Sequence, residues 1–312
     1  MNAACTMASK VDAYLAARRQ AGFALRIEGE QLKRFARFAD QHAHCGPLTV
    51  KLAVEWASSS RTPLGPARGL EVMRGYAKYW RQFEPATEVP PRQLLGRAHR
   101  RLTPHIYTEA EVRALLSAAT QLHPAGGLRG ATCATIFGLI ASTRLRISEA
   151  IGLSRSDVDL DQALLHIRLA KFGKSRWVPL HPTTVAALRR YCRRRDEDPL
   201  TAGTDGFFAF DYGRAALDRS VRYAFQLLRR RLQWRARGGH PAPRIHDLRH
   251  SFVCHRLEQW YAQGLDIDRN ILALSTCVGH AKITDTYWYV TATPELLATA
   301  AQRFVRRTGG AV

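Results

Sequence analysis

The stretch LLHIRLAKFGKSRWVPL, residues 164–180, decides how the rest of this chain is read. Apolar and polar side chains alternate in LLHIRLA (164–170) and again in SRWVPL (175–180), with KFGK between them. A period of two marks a strand with one face on a core, and a short glycine-containing connection marks a hairpin. Two short antiparallel strands are therefore predicted. On either side the period changes to 3.6, so the hairpin is embedded in a helical chain.

Before the hairpin, helices are predicted over 109–119 and 129–141, with a third running from Ile147 to Leu153. The first opens on a capping box, Thr108 with Glu111. After the hairpin, helices are predicted near 182–195, 214–232, 246–262 and 268–277. The segment TPELLATAAQRF closes the chain as a helix, with Thr293 as N-cap and Pro294 at the first helical position. Further upstream, residues 8–84 read as helix throughout. Apolar stripes follow the helical period at Val11, Tyr14, Leu15 and Phe23, at Leu32, Phe35 and Phe38, and at Val50, Val54 and Trp56. GLEVMRGYAKYWRQF forms a fourth helix after a Gly/Pro break at 61–69. Between the two regions, ATEVPPRQLLGRAHRRLTPHIY (86–107) is rich in Pro and Arg and has no sustained period. The expected organisation is an all-α bundle at 1–85, a linker at 86–106, and at 107–312 a mainly α domain with a small antiparallel sheet.

The charge balance narrows the partner. Lys and Arg number 47 against 26 Asp and Glu, a formal net charge of +21 with a pI near 10.5. Self-repulsion of that size opposes a compact fold, and a polyanion partner relieves it. The excess is mostly arginine, in runs such as Arg193-Arg194-Arg195 and Arg229-Arg230-Arg231, a residue suited to gripping phosphate in a bidentate way. The six cysteines show no CxxC pair and no metal-ligand spacing, which points to reduced thiols. The longest apolar run, ATCATIFGLIAS (131–142), is too short to span a bilayer, and no signal peptide is visible. A soluble cytoplasmic protein is expected.

Four constellations can carry chemistry. In STRLRISEAIGL (142–153), Arg146 and Glu149 are three apart and share a helix face, with Arg144 a competitor for the same role. In the hairpin, Lys171 is presented on a tight turn as a candidate proton donor, with Lys174 and Arg176 as alternatives. In RIHDLRHSF (244–252), His246 and Arg249 are three apart, and His250 falls on the same side as His246. In VGHAKITDTYWYV (278–290), His280 precedes two tyrosines, Tyr287 and Tyr289. Taken singly, each has an ordinary structural explanation, such as a surface ion pair, a solvent lysine or a core histidine.

Taken in order, RISEAIGL, KFGKSRWVPL, HDLRHSF and VGH followed nine residues later by a tyrosine resemble the catalytic blocks of the tyrosine recombinases, or phage integrases. The likeness covers about 105–295, and more loosely the helical 8–84 region is similar to the family's core-binding domain. It implies a site-specific DNA recombinase with Tyr289, rather than Tyr287, as nucleophile. Arg146 and Arg249 would clamp the non-bridging oxygens of a DNA phosphate. His246 and His280 would donate further hydrogen bonds or handle the tyrosyl proton, Lys171 would protonate the leaving 5′-oxygen, and Glu149 would support Arg146. A 3′-phosphotyrosyl link stores the bond energy, so no ATP is expected, and no GxxxxGK[ST] is found; the positive residues would do the work of Mg²⁺, so no metal ion is expected either. The resemblance also implies double-stranded DNA at specific sites, a homotetramer on paired sites, possible partner recombinases, and a mobile-element origin. A topoisomerase-like nicking and resealing enzyme and a non-catalytic DNA-binding accessory protein are the alternative readings.

Overall fold

The computed structural model describes residues 6–62, 65–98, 101–168, 175–279, 282–290, 297–298 and 301. The chain divides into two compact units, Met1–Arg101 and Leu102–Val312. In the first, α1 (Met7–Gln20), α2 (Arg26–Gln41), α3 (Val50–Ser58) and α4 (Gly65–Trp80) enclose a core of Leu15, Leu32, Phe35, Met73 and Tyr76. Thr6 and Thr49 cap α1 and α3, their hydroxyls accepting from the Ser9 and Leu52 N–H groups at 3.2 Å. Edge-on ring contacts knit the helices together, Tyr14 with Tyr76 at 5.4 Å and Phe35 with Trp56 at 5.5 Å.

Two expectations about this unit shift. On α3 the buried face is Leu52, Ala53 and Ala57, while Val50, Val54 and Trp56 are only half-buried. Small alanines let α4 approach closely, where Gly69 lies against Trp56 and Ala57. Phe23 lies beyond the end of α1, 45% exposed, with the Arg18 guanidinium 3.9 Å from its ring centre. The Pro-rich stretch expected as linker is partly laid onto this unit. The Glu88 N–H donates to Leu48 O at 2.8 Å, the Glu88 carboxylate accepts from the Val50 N–H at 2.6 Å, and Arg74 donates to the Pro90 carbonyl.

The second unit is mainly helical around a three-stranded antiparallel sheet. Its helices are α5 (Glu109–Thr120), α6 (Leu128–Thr143), α7 (Ile147–Ile151), α8 (Pro182–Asp196), α9 (Asp218–Arg231), α10 (Ile245–Ala262), α11 (Ile267–Val278) and α12 (Thr284–Val290). The strands are β1 (Val158–Asp159), β2 (Leu164–Ile167) and β3 (Arg176–Pro179), in the order β1-β2-β3. The antiparallel pair is the one the alternation predicts, though β2 stops at Ile167 and KFGK (171–174) lies outside the described residues. Leu165 pairs with Val178 and both are buried, while His166 pairs with Trp177 on the opposite face, their rings stacked at 4.4 Å. β1 is two residues long, too short to show any alternation, and was not expected.

Helix α6 is buried over most of its circumference and forms the centre of this unit. Helix α9 starts four residues later than the periodicity suggests, because the Ala216 N–H is drawn back to Phe208 O at 3.0 Å. A second cluster joins α10, α11 and α12 through Val253, Leu257, Leu274, Val278 and Tyr289. Thr293 and Pro294, expected to open the closing helix, lie outside the described residues. None of the described helices is long and apolar enough to cross a membrane.

Phe137 on α6 is fully buried and meets Phe225 of α9 edge-on at 5.7 Å. Phe137→Ala should therefore cost about 3–5 kcal/mol of stability, read as a lowered midpoint in denaturant unfolding.

Candidate active site

The site begins where α6 ends. Arg144 closes the helix in the left-handed conformation, at φ 57°. A non-glycine residue held there is uncommon, and such positions cluster at functional sites. The turn buries Leu145 in the core and leaves Arg146 at the N-cap of α7, not within it. The three-residue spacing of Arg146 and Glu149 thus acts through capping: Glu149 Oε2 accepts from the Arg146 N–H at 2.9 Å and Oε1 from its Nη1 at 2.7 Å.

The same carboxylate is held from the sheet. Arg176, on β3 opposite Ile167, donates from Nη1 to Oε1 at 3.1 Å and from Nη2 to Oε2 at 2.9 Å. The Glu149 side chain is only 6% exposed. Burial alone would raise its pKa, but the Arg176 fork, the Arg146 N–H and the Arg146 guanidinium outweigh that and hold it at about 2.

Arg249 comes from the first turns of α10, where Asp247 accepts from the Arg244 N–H at 2.8 Å and from the Arg244 guanidinium at 2.6 Å. Arg249 is 2% exposed. It donates from Nη1 to the Arg144 carbonyl and from Nη2 to Val278 O at 2.5 Å. Arg146 Nη2 donates to the very next carbonyl, Gly279 O, at 3.2 Å. Two guanidinium groups separated by 103 positions therefore meet at the last carbonyl of α11 and that of its C-cap glycine. A helix C-terminus favours cations because its final carbonyls lack partners within the helix. Burial, followed by repulsion from Arg146, draws the Arg249 pKa down to about 10, so the group stays cationic at neutral pH.

The turn after α11 requires glycine. Gly279 has φ 70°, and a Cβ there would stand 3.2 Å from Arg176 Cζ. Arg176, an alternative to Lys171 in the sequence reading, thus backs both Glu149 and this turn. The Arg144 guanidinium lies over the Phe252 ring at 4.7 Å.

Helix α12 separates the two tyrosines, since residues two apart fall on nearly opposite helix faces. Tyr289 is 3% exposed and Tyr287 39% exposed. The Tyr287 hydroxyl donates to Asp268 Oδ1 on α11 at 2.7 Å, a bond that raises its pKa. Tyr289 packs in the α10–α12 cluster, where its hydroxyl lies 2.5 Å from His250 Nδ1. It is close enough to Arg249 to stabilise that cation.

His246 stands edge-on to His250, ring centres 4.6 Å apart. Although its ring reaches solvent, the crowding around it and then the Arg249 and Arg244 charges lower its pKa to about 4. It is neutral at pH 7 and can donate one hydrogen bond.

Arg146, Glu149, His246, Arg249 and Tyr289 are thus brought together. Lys171 and His280, along with Lys174, lie outside the described residues. Sequence reasoning underrated Arg176 and His250, although the i, i+4 spacing of His250 from His246 was a visible signal. Among the described residues no cluster of three or more His, Cys, Asp or Glu could hold a metal ion.

The second unit is thus a mainly α domain with a short antiparallel strand pair, two arginines on one helix end and a buried tyrosine beside them. The sequence profile of the phage integrase family matches residues 106–295, and the chain belongs to that family. The Sinorhizobium fredii protein y4rB, whose name assigns it to the integrases and recombinases, is 36% identical over 97% of this chain and 98% of its own. The tyrosine recombinase XerC of Staphylococcus saprophyticus is 26% identical over 74% of this chain and 72% of its own. The fold is shared with the Tn1549 transposon integrase, solved with transposon right end DNA, at a TM-score of 0.69 and 16% identity, over 96% of this chain and 99% of that one. It is shared equally with the XerH site-specific recombinase bound to a palindromic difH substrate, at a TM-score of 0.66 and 17% identity, over 96% of this chain and 85% of that one.

Glu149→Gln leaves Arg176 without its partner and should cost about 3–5 kcal/mol in denaturant unfolding at pH 7. Because the folded pKa lies below the usual 4.5, the carboxylate's contribution, on the order of 3 kcal/mol, is complete above that pH and is lost as pH falls toward 2. The Gln variant should lack that component of the acid dependence. Gly279→Ala should lower stability by about 1–2 kcal/mol through its left-handed backbone, again read by unfolding.

Proposed function

We propose that this protein is a site-specific DNA recombinase that breaks and rejoins strands through a covalent 3′-phosphotyrosyl intermediate. The observation that carries the reading is the meeting of Arg146 and Arg249 on consecutive carbonyls, Val278 and Gly279, with Tyr289 buried beside them. A guanidinium has five N–H donors, and these bonds occupy only some of them. The remaining donors of the pair can take the two non-bridging oxygens of a phosphate, and they are already in place when charge grows on those oxygens.

Tyr289 attacks phosphorus. A phenol is a weak nucleophile at its usual pKa near 10, so its proton must leave as it attacks. Neutral His246 supplies a hydrogen bond to the phosphate, and His280 is proposed to supply another. Lys171 is proposed to protonate the departing 5′-oxygen. Glu149 acts through Arg146. A 5′-hydroxyl from a second strand then displaces Tyr289 and restores the phosphodiester.

In this reading residues 107–312 are the catalytic domain, 1–85 a core-binding domain that closes on DNA, and 86–106 the connection between them. The +21 charge suits double-stranded DNA as the substrate. Exchange between two duplexes calls for a homotetramer on paired sites, with TPELLATAAQRFVRR as a segment that can dock on a neighbouring copy. The protein would work in the cytoplasm on the nucleoid, as the recombinase of a mobile element. The 36% identity to y4rB supports the recombinase reading, and the fold shared with a transposon integrase is in keeping with a mobile element.

The test is covalent trapping on nicked DNA fragments taken from both flanks of the coding sequence. Wild-type protein and Tyr287→Phe should form an adduct that survives denaturing electrophoresis, and Tyr289→Phe should form none. An undiminished adduct from Tyr289→Phe would overturn the assignment. Tight, specific binding without any wild-type adduct would leave a DNA-binding accessory protein instead, and relaxation of a plasmid lacking those flanks would favour a nicking and resealing enzyme.

A further inference from the structure

We propose that His250 accepts the phenolic proton of Tyr289, a role that rests on the recombinase reading above and assigns the proton that reading leaves unplaced. Among the described residues, His250 is the imidazole at hydrogen-bond distance from the nucleophile, with Nδ1 2.5 Å from Tyr289 Oη. The rings lie 5.3 Å apart and 44° to one another. A phenol is the natural donor toward a neutral imidazole, whose one bare nitrogen is an acceptor. The hydroxyl's imidazole partner is His250, with His246 edge-on to that ring one helical turn earlier on α10.

The placement of His250 is held from several directions. It follows Arg249 directly, and Arg249 is pinned to the Arg144 and Val278 carbonyls. The next residue, Ser251, accepts from the Tyr107 N–H at 2.7 Å and donates to Asp247 O at 2.8 Å. The Tyr289 ring is buried in the same α10–α12 cluster as Val253, Leu257 and Val278. Two successive residues of one helix therefore serve the two halves of the same event. Arg249 faces the phosphate, and His250 faces the nucleophile.

The step balances. The Tyr289 Oη–phosphorus bond forms as the phosphorus–O5′ bond breaks. The phenolic proton passes to His250 Nδ1, and the departing O5′ takes its proton from a separate donor, assigned above to Lys171. In the return step an incoming 5′-hydroxyl attacks the phosphotyrosine, loses its own proton to that same donor, and the His250 imidazolium returns a proton to the Tyr289 oxygen.

The role is separable from mere positioning. In His250→Asn a carboxamide oxygen can stand near the place of Nδ1, accepting a hydrogen bond without taking up a proton. In His250→Ala both properties are lost. Single-turnover adduct formation should be measured on the nicked flanking fragments, alongside fragment affinity. Both variants should slow the step by about 10²–10⁴-fold, the usual contribution of a general base, with affinity within about threefold of wild type. Unchanged affinity also reports that each variant is folded. A wild-type rate in His250→Ala, or its restoration in His250→Asn, would overturn the proposal while leaving the recombinase reading intact.

A second measurement needs no DNA cleavage. In ¹⁵N-labelled free protein the His250 ring nitrogens should shift on Tyr289→Phe and stay in place on Tyr287→Phe. Resonances indifferent to Tyr289→Phe would remove the contact on which the proposal stands. Absence of any wild-type adduct would instead overturn the recombinase reading, and this proton assignment with it.

Discussion

The carboxylate of Glu149 is the point on which this site depends. It accepts from the Arg146 backbone and side chain and from both ends of the Arg176 fork, and it does so with little solvent around it. Without it, three guanidinium groups would crowd a small volume with only carbonyl dipoles to offset their repulsion. With it, one of the three charges is neutralised from behind, and Arg146 is oriented toward the end of α11. An arginine prepared in this way needs no reorganisation when an anionic group arrives, which is where electrostatic stabilisation of a transition state gains most.

The end of α11 does the complementary work. Burying Arg249 is unfavourable, and that shows in its lowered pKa. The loss is offset by hydrogen bonds to Arg144 O and Val278 O, carbonyls left over where α6 and α11 stop. Two helix ends, one closed by a left-handed arginine and the other by a left-handed glycine, thus serve as the floor of the site. Helix α12 and its tyrosines follow five residues after Gly279. A helix there places one phenol inside and the other on Asp268, so backbone periodicity makes the choice that nearness in sequence leaves open.

Much of this was legible in the residues. Alternation in 164–180 located the hairpin, and its observed register keeps Leu165 and Val178 on the core. The spacing of Arg146 with Glu149, and of His246 with Arg249, anticipated pairs that do lie together. Errors arose where a local pattern was outweighed by packing. Stripes judged by side-chain size found only the edge of the buried face of α3, where Val54 and Trp56 pack partly against the core, because alanine and glycine allow a closer approach at its centre than valine. The ordinary explanation of RIHDLRHSF as carrying a core histidine fails: His246 reaches solvent and Arg249 is buried, since the helix-end carbonyls that satisfy its guanidinium lie 105 positions earlier and 29 positions later in the chain.

By itself the sequence determined the helical periods, the hairpin, the basic character and the residue types able to handle a phosphate, because each is set by a few neighbouring side chains. Tertiary structure alone decided that Arg176 would share Glu149 with Arg146, that Arg249 would be buried against α11, and that His250 would meet Tyr289. Those contacts join segments 27, 29 and 39 residues apart, and only packing determines which distant groups come within hydrogen-bond reach.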